Sequence, residues 1–350
     1  MNRDQIGRQR IVMSAALAGV VLALVVSSSC MPESPTNTSG TRAITVYGFS
    51  VMKESLEKAV FPGFAAKWKK EHNEEVRFTS SFAGSEIVTN QILQGVAADV
   101  AILSIERDVD RLVQGGAVTS NWHALPQGGI VNKTPFVILV RKGNPKGIHD
   151  FGDLARPGMK VIHPDPVSSG GAMWSVLAIY GSELMKSEKQ TGQRDSTRAL
   201  QLLKALWRNV ISTPGSAREA RTQFELGQGD ALVTYELDAL LMKEAHADIE
   251  IVVPEATIFS EHPVAVIDRN ITPDERPVID AFTAYLWSDE AQRAFVQYHF
   301  RSITNETFNE SNKGFAQIKT PFTVKDLGGW ATAYPQIIEL IWRDQVKARK

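Results

Sequence analysis

The chain has 350 residues, of which 43% are hydrophobic and 22% charged, and its formal net charge is −1. This is enough apolar material for two domains of ordinary size, and the near-neutral balance excludes the clustered cations that hold nucleic acid. A single cysteine excludes an internal disulfide.

In chain order, residues 1–29 read as an export signal. Arg3, Arg8 and Arg10 precede a 16-residue apolar stretch, Ile11 to Val26, which is short for a stable membrane span and is followed by Ser27, Ser28 and Ser29. The only cysteine, Cys30, comes next, at the position that becomes the lipid-bearing first residue in a bacterial lipoprotein, although Ser27 stands where that cleavage motif prefers Leu. The competing reading is an uncleaved N-terminal anchor. Cleavage leaves 321 residues on the outer face of the membrane, and removing the signal's net +2 from −1 leaves −3. Residues 30–42 include the polar run Pro32 to Gly40 and read as a flexible tether.

From Ala43 to about Glu250 the pattern predicts strands alternating with helices, hence an α/β fold of mostly parallel sheets flanked by helices. A strand at Ile44 to Tyr47 leads through Gly48-Phe49-Ser50 into a helix with the face Val51, Leu56, Ala59. A strand near Val76 to Thr79 leads through Ser81 to Ser85 into a helix carrying Ile87, Val88 and Ile92. "MKVIHPD" leads through Pro166 to Gly171 into a helix whose face is Met173, Leu177, Tyr180 and Leu184. "RNVIST" leads through Pro214 to Arg218 into a helix containing Phe224, and Ser216 to Glu219 spells a capping box.

Each junction alone is explained by helix capping. Together they place small residues, bare N–H groups and positive helix ends at the carboxyl edge of an open sheet, where ligands bind. Gly170 and Gly171 remove the Cβ atoms that would hold a ligand off the main chain. The expected ligand is a small anion held by neutral donors and Arg218. A site built of donors alone favours sulfate, which only accepts, over phosphate, which keeps a proton at neutral pH.

Features of other classes are missing from the sequence. It has no Gly-x-Ser-x-Gly elbow, no GxxxxGK loop, no internal repeat, and no pair among its seven histidines with HExxH-type metal spacing. His163 is read as a loop histidine bonded to backbone, Trp174 as a wedge between helix and sheet, and Glu236 and Asp238 as acids in the first turn of a helix. No metal, cofactor or catalytic residue is expected.

The segment Val140 to Trp174, "VRKGNPKGIHDFGDLARPGMKVIHPDPVSSGGAMW", resembles the sulfate- and thiosulfate-binding proteins that serve bacterial ABC importers. So do Ser81 to Leu103, Gly215 to Leu241 and Phe322 to Ala333. The resemblance implies the two-lobed type II periplasmic-binding fold with the ligand in the cleft. Residues 43–132 plus 255–322 would form one lobe, 135–253 the other, and 323–350 a helical segment packing across both. It also implies that Gly84, Ser85, Ser169, Gly170, Gly171, Ala217 and Arg218 form the oxyanion site. Two positions depart from the family pattern: Ser50 stands for an Asp, and Tyr235 for a Trp whose indole donates to the anion. The implied protein is a monomer without enzymatic activity, periplasmic or lipid-anchored, whose partners are sulfate or thiosulfate and permease subunits. The alternatives are another tetrahedral oxyanion such as molybdate or phosphate, a ligand-sensing subunit, and, last, a secreted α/β hydrolase.

Overall fold

A computed structural model describes residues 40–347; the segment 1–29 expected to be an export signal, and Cys30, lie outside the described residues. Among the described residues ten strands are formed: β1 (Thr41–Phe49), β2 (Glu75–Ala83), β3 (Val100–Ile102), β4 (Ile130–Arg141), β5 (Val161–Ile162), β6 (Val210–Ser212), β7 (Ala231–Tyr235), β8 (Ile249–Val252), β9 (Ala256–Val266) and β10 (Thr320–Phe322). Their order is β2-β1-β3-β9-β4-β7-β5-β6, with β10 beside β9 and β8 beside β4.

The expected parallel pairing holds on both sides of this path. β1 runs parallel to β2 and β3, and β5 runs parallel to β6 and β7. The long strands β4 and β9 depart from it. Their near halves pair antiparallel with each other, Lys133 opposite Glu261 and Pro135 opposite Phe259. The far half of β4 pairs antiparallel with β7, and the end of β9 pairs antiparallel with β3. Two continuous strands thus connect the parallel sets, and a strand that passes from one set into the other cannot run parallel to both. β4 is buried along nearly its whole length, as its unbroken run Phe136 to Val140 requires of a strand covered on both faces.

The packed helix faces largely follow the sequence. Met173, Leu177, Tyr180 and Leu184 are all buried on the helix Gly170–Thr191. In the first helical region Val51 and Leu56 are buried, but Val60 takes the inner place expected of Ala59. The chain runs as a π-helix over Leu56–Val60, and its wider turn advances the inward face by one residue. On the helix Ser85–Leu93, Val88 and Ile92 pack inward while Ile87 is 37% exposed. The C-terminal segment Tyr334–Val346 buries Ile337 and Ile338 and sets Trp342 edge-on against Trp207, with ring centroids 5.4 Å apart.

Two histidines are fully buried. Nδ1 of His163 donates to the Pro164 carbonyl at 2.7 Å and Nε2 meets the Ser175 hydroxyl at 2.6 Å. Nδ1 of His262 lies 2.6 Å from Oδ1 of Asn132. Burial pushes His163 down to about 4 and His262 down to about 3. Both are therefore neutral in the folded protein, whereas in the unfolded chain they take up protons below about pH 6.5. Stability is expected to fall as the pH drops from about 6.5 toward 4, with a slope of up to about 1.4 kcal/mol per pH unit for each histidine. Urea unfolding across that range checks this, and a His163→Gln/His262→Gln variant should show a flatter profile.

Candidate functional site

Four strand-to-helix junctions meet at one place. The helices Ser85–Leu93, Gly170–Thr191 and Ala217–Glu225 start there, and the Ser50–Met52 turn after β1 adjoins them. Contacts between the junctions are close. The Ser168 hydroxyl donates to the Gly215 carbonyl at 2.9 Å, and a Cβ on Gly84 would fall 2.4 Å from the Ser168 carbonyl oxygen and 2.8 Å from that of Gly215. Only glycine allows the junction after β2 to approach the other two this nearly.

Gly170 and Gly171 have a related role. A Cβ on Gly170 would lie 2.7 Å from Cβ of Ser104, and one on Gly171 would lie 2.7 Å from the Tyr235 hydroxyl. The glycines thus admit two neighbouring hydroxyls against the start of the helix, so the space they leave is shared between side chains and main chain. This refines the expectation that they clear the backbone for a ligand alone.

The caps leave specific hydrogens available. Ser169 Oγ accepts from the Ala172 N–H at 3.3 Å, so its own O–H is not used in capping. Ser216 Oγ accepts from the Glu219 N–H at 3.2 Å, but the Glu219 carboxylate turns to the Gly215 N–H at 2.9 Å, so the expected reciprocal capping box is only half formed. The first-turn N–H groups of Ser85, Gly170, Gly171, Ala217 and Arg218 have no carbonyl available within their own helices. All of these residues except Arg218 are buried.

Charge around the site is compensated locally. Arg218 donates through Nε and Nη2 to the Ser50 carbonyl at 3.0 and 2.9 Å and through Nη1 to Glu54 at 2.8 Å. Burial works against its charge, but Glu54 outweighs that and holds the guanidinium above its ordinary range. Arg218 was expected as a direct ligand donor; its guanidinium is instead spent on Glu54 and on the turn after β1. Ser50 is buried and presents its carbonyl to Arg218.

Ser85 also differs from expectation. Its hydroxyl donates to Oδ2 of Asp108 at 2.6 Å and accepts from the Ser104 N–H at 3.0 Å. Asp108 is fully buried, and its Oδ1 has no hydrogen-bond partner. Burial pushes the Asp108 carboxyl well above the ordinary carboxylate range, and the neighbouring Glu86 carboxylate adds to this. Tyr235 is fully buried, burial pushes its phenol upward so that it stays protonated, and its hydroxyl lies 2.9 Å from that of Ser104. Trp174 donates its indole N–H to the Ser104 carbonyl at 2.6 Å, locking helix to strand end as the wedge reading requires.

Ser104, Asp108 and Glu54 were not singled out from sequence, and Ser168 only as part of the Pro166 to Gly171 junction. Ser104 had a signal: it follows the apolar run Val100 to Leu103 and precedes a helix with acids in its first turn, which makes it a fifth junction of the same kind. Asp108 had none, because a carboxylate in the first turn of a helix ordinarily faces water. Glu236 and Asp238 form structural ion pairs with Arg301 at 2.8 Å and Arg221 at 3.0 Å. Among the described residues no group of three or more His, Cys, Asp or Glu is placed to hold a metal ion, and no helix is long and apolar enough to cross a membrane.

Comparison with known proteins agrees with this geometry. Residues 44–301 match the model of the bacterial extracellular solute-binding protein family. The sulfate-binding protein of Synechococcus elongatus is 32% identical over 97% of this chain and 97% of its own, and that of Salmonella typhimurium is 36% identical over 77% and 82%. The thiosulfate-binding protein of Pseudomonas aeruginosa is 31% identical over 81% of this chain and 85% of its own. Among solved structures, the sulfate-binding protein SubI from Mycobacterium tuberculosis superposes with a TM-score of 0.76 at 31% identity, covering 84% of this chain and 99% of that one. A periplasmic thiamin binding protein shares the fold alone, with a TM-score of 0.63 at 15% identity over 85% of this chain and 95% of that one. The chain has the type II periplasmic-binding fold and belongs to the bacterial extracellular solute-binding family, among its sulfate- and thiosulfate-binding proteins.

Proposed function

We propose that this protein captures sulfate or thiosulfate outside the cytoplasm and delivers it to an ABC importer. The observation that carries the reading is the convergence of three helix N-termini, all flanked by small residues, with the nearest guanidinium already neutralised by Glu54. The ligand-binding set is the N–H groups of Ser85, Gly170, Gly171, Ala217 and Arg218, the Ser169 hydroxyl, and Tyr235, with Gly84 and Ser50 shaping the wall. Hydrogen bonds to a charged acceptor contribute roughly 1.5 to 3 kcal/mol each, so about six of them support micromolar or tighter binding after association costs. Residues 43–132 with 255–322 and residues 135–253 act as the two lobes, β4 and β9 as the connection between them, and 323–350 as the segment packed across. Because the donors come from both sides of that connection, the anion binds the closed state better than the open one and thereby closes the protein. Residues 1–29 serve as the export signal and Cys30 as the lipid attachment point, which holds a monomer on the outer face of the membrane.

The protein is a carrier, not an enzyme. The Ser175–His163 pair has the contact distance of a nucleophile and its base, but both side chains are completely buried and Nδ1 of the histidine faces a backbone carbonyl, so no substrate reaches the hydroxyl. The relatives are likewise named as binding proteins.

Isothermal titration of the purified, ligand-stripped protein is expected to show one-to-one binding of sulfate. Ser169→Ala should weaken it by about 1 to 3 kcal/mol, one lost donor to a charged acceptor, and Gly170→Val should weaken it further, because its side chain collides with Ser104. Binding of both variants at wild-type strength would leave these junctions as capped helices and nothing more.

The Asp108 contact gives a pH dependence. While Asp108 keeps its proton, the carboxyl that receives the Ser85 hydroxyl is neutral. Once ionised, it sets a buried negative charge beside the junction that holds the anion. Its carboxyl is pushed up to about 8, so sulfate affinity should decline as the pH rises from 7 to 9 although sulfate itself does not titrate there. Asp108→Asn should flatten the decline, as read by titrations at each pH.

A further inference from the structure

The C-terminal segment is anchored on residues 135–253. Trp342 stands edge-on to Trp207, Trp330 stands edge-on to Trp174 with ring centroids 4.7 Å apart, Arg194 donates to the Asp326 carbonyl at 2.6 Å, and Lys347 lies 3.7 Å from Asp165. Toward residues 43–132 the same segment presents the ring of Tyr334. The guanidinium of Arg107, in the helix Glu106–Gln114, sits over that ring 3.5 Å from its centroid. Beside this contact a cavity of about 470 Å³ lies between Asp110 and Gln114 on the helix and Pro335 and Glu339 on the segment.

Arg107 has a second partner within reach. Its Nη1 is buried without a hydrogen-bond partner and stands 3.7 Å from Oε2 of Glu86, which is buried and equally unpartnered. The other Glu86 oxygen is occupied by Arg111 at 2.6 Å, and Arg111 is held in turn by Asn90 at 2.7 Å. A guanidinium and a carboxylate that stop about 1 Å short of a hydrogen bond leave both demands unmet, so another contact must hold the guanidinium back. That contact is the electron-rich face of Tyr334.

We propose that Arg107 is a two-position switch for lobe closure, stacked on Tyr334 when the lobes are closed and hydrogen-bonded to Glu86 when they part. This rests on the two-lobe, oxyanion-binding reading above. Closure places the face of Tyr334 under Arg107; opening carries Tyr334 away with the lobe that bears it, and Arg107 moves onto the free Glu86 oxygen. The first position favours the closed state and the second the open one. Tyr334 and Arg107 touch no ligand, yet they set the affinity for it, because a protein that binds only when closed has its apparent affinity scaled by the closed fraction.

The test is calorimetric titration of sulfate and of thiosulfate into wild type, Tyr334→Leu, Tyr334→Phe, Arg107→Met and the double variant Arg107→Met/Tyr334→Leu. Each variant is first shown to have the wild-type circular dichroism spectrum and a cooperative unfolding transition. Tyr334→Leu is expected to weaken both anions by the same factor, about threefold to tenfold. Tyr334→Phe, which keeps the ring face, should bind as wild type does. Arg107→Met removes the closed and the open contact together and should weaken binding less than Tyr334→Leu; adding Tyr334→Leu to it should change nothing further. Wild-type affinity in Tyr334→Leu, or Tyr334→Phe as weak as Tyr334→Leu, would overturn the stacked position. An equal effect of Tyr334→Leu with and without Arg107, or unequal factors for the two anions, would also overturn it while leaving the oxyanion reading intact. Arg107→Met weaker than Tyr334→Leu would overturn the Glu86 position. Neither anion binding the folded wild-type protein would overturn the oxyanion reading and this inference together.

Discussion

The structure depends on how closely three loop junctions can approach one another. An anion held by backbone N–H groups needs several helix starts within a few ångströms, and side chains at those positions would keep them apart. Gly84 meets the carbonyls of Ser168 and Gly215 at distances no Cβ tolerates, and the Ser168 hydroxyl bridges to Gly215. These contacts bring residues on opposite sides of the β4–β9 connection together. Strand order then follows from the same requirement: the parallel sets must present their carboxyl ends toward one point, so the linking strands β9 and β4 run antiparallel to β3 and β7.

Neutralising the charged groups nearby is the second condition. A free guanidinium at the site would bind any anion and release it slowly, whereas dipoles at fixed positions read geometry. Here Arg218 is committed to Glu54 and the Ser50 carbonyl, and it ties the turn after β1 to the helix Ala217–Glu225. Asp108, buried against Ser85 with Glu86 nearby, holds its proton above the ordinary range. Arg218 and Asp108 thus add little net field, and the Glu219 carboxylate is held by the Gly215 N–H.

Much of this was legible in the sequence because it follows from local rules. The alternation of strand and helix, the four junctions with their serine and glycine residues, and the buried face Met173, Leu177, Tyr180, Leu184 all arise from short-range periodicity and capping. What the sequence did not reveal depends on contacts distant in the chain. Asp108 and Ser85 are 23 residues apart and Ser104 and Tyr235 are 131 apart, and no local pattern marks either pair. Arg218 illustrates the converse error: next to Ala217 it reads as a ligand donor, and only the placement of Glu54, 164 residues earlier, turns it into a structural tie. The inward shift from Ala59 to Val60 was hidden for a different reason, since a π-helical turn has no signature in a 3.6-residue period.

Tyr235 is a fully buried phenol, and Ser104 is the hydroxyl that pairs with it. A lone buried hydroxyl keeps an unsatisfied lone pair when it donates to a ligand and an unsatisfied hydrogen when it accepts from one. A second hydroxyl at 2.9 Å gives the Tyr235 oxygen a partner inside the protein, as donor or as acceptor. The glycines at 170 and 171 then take on a second purpose, since the space beyond their Cα atoms is where this pair sits. The start of the helix Gly170–Thr191 is thereby packed against two paired, uncharged hydroxyls, which add hydrogen-bonding capacity there without adding charge.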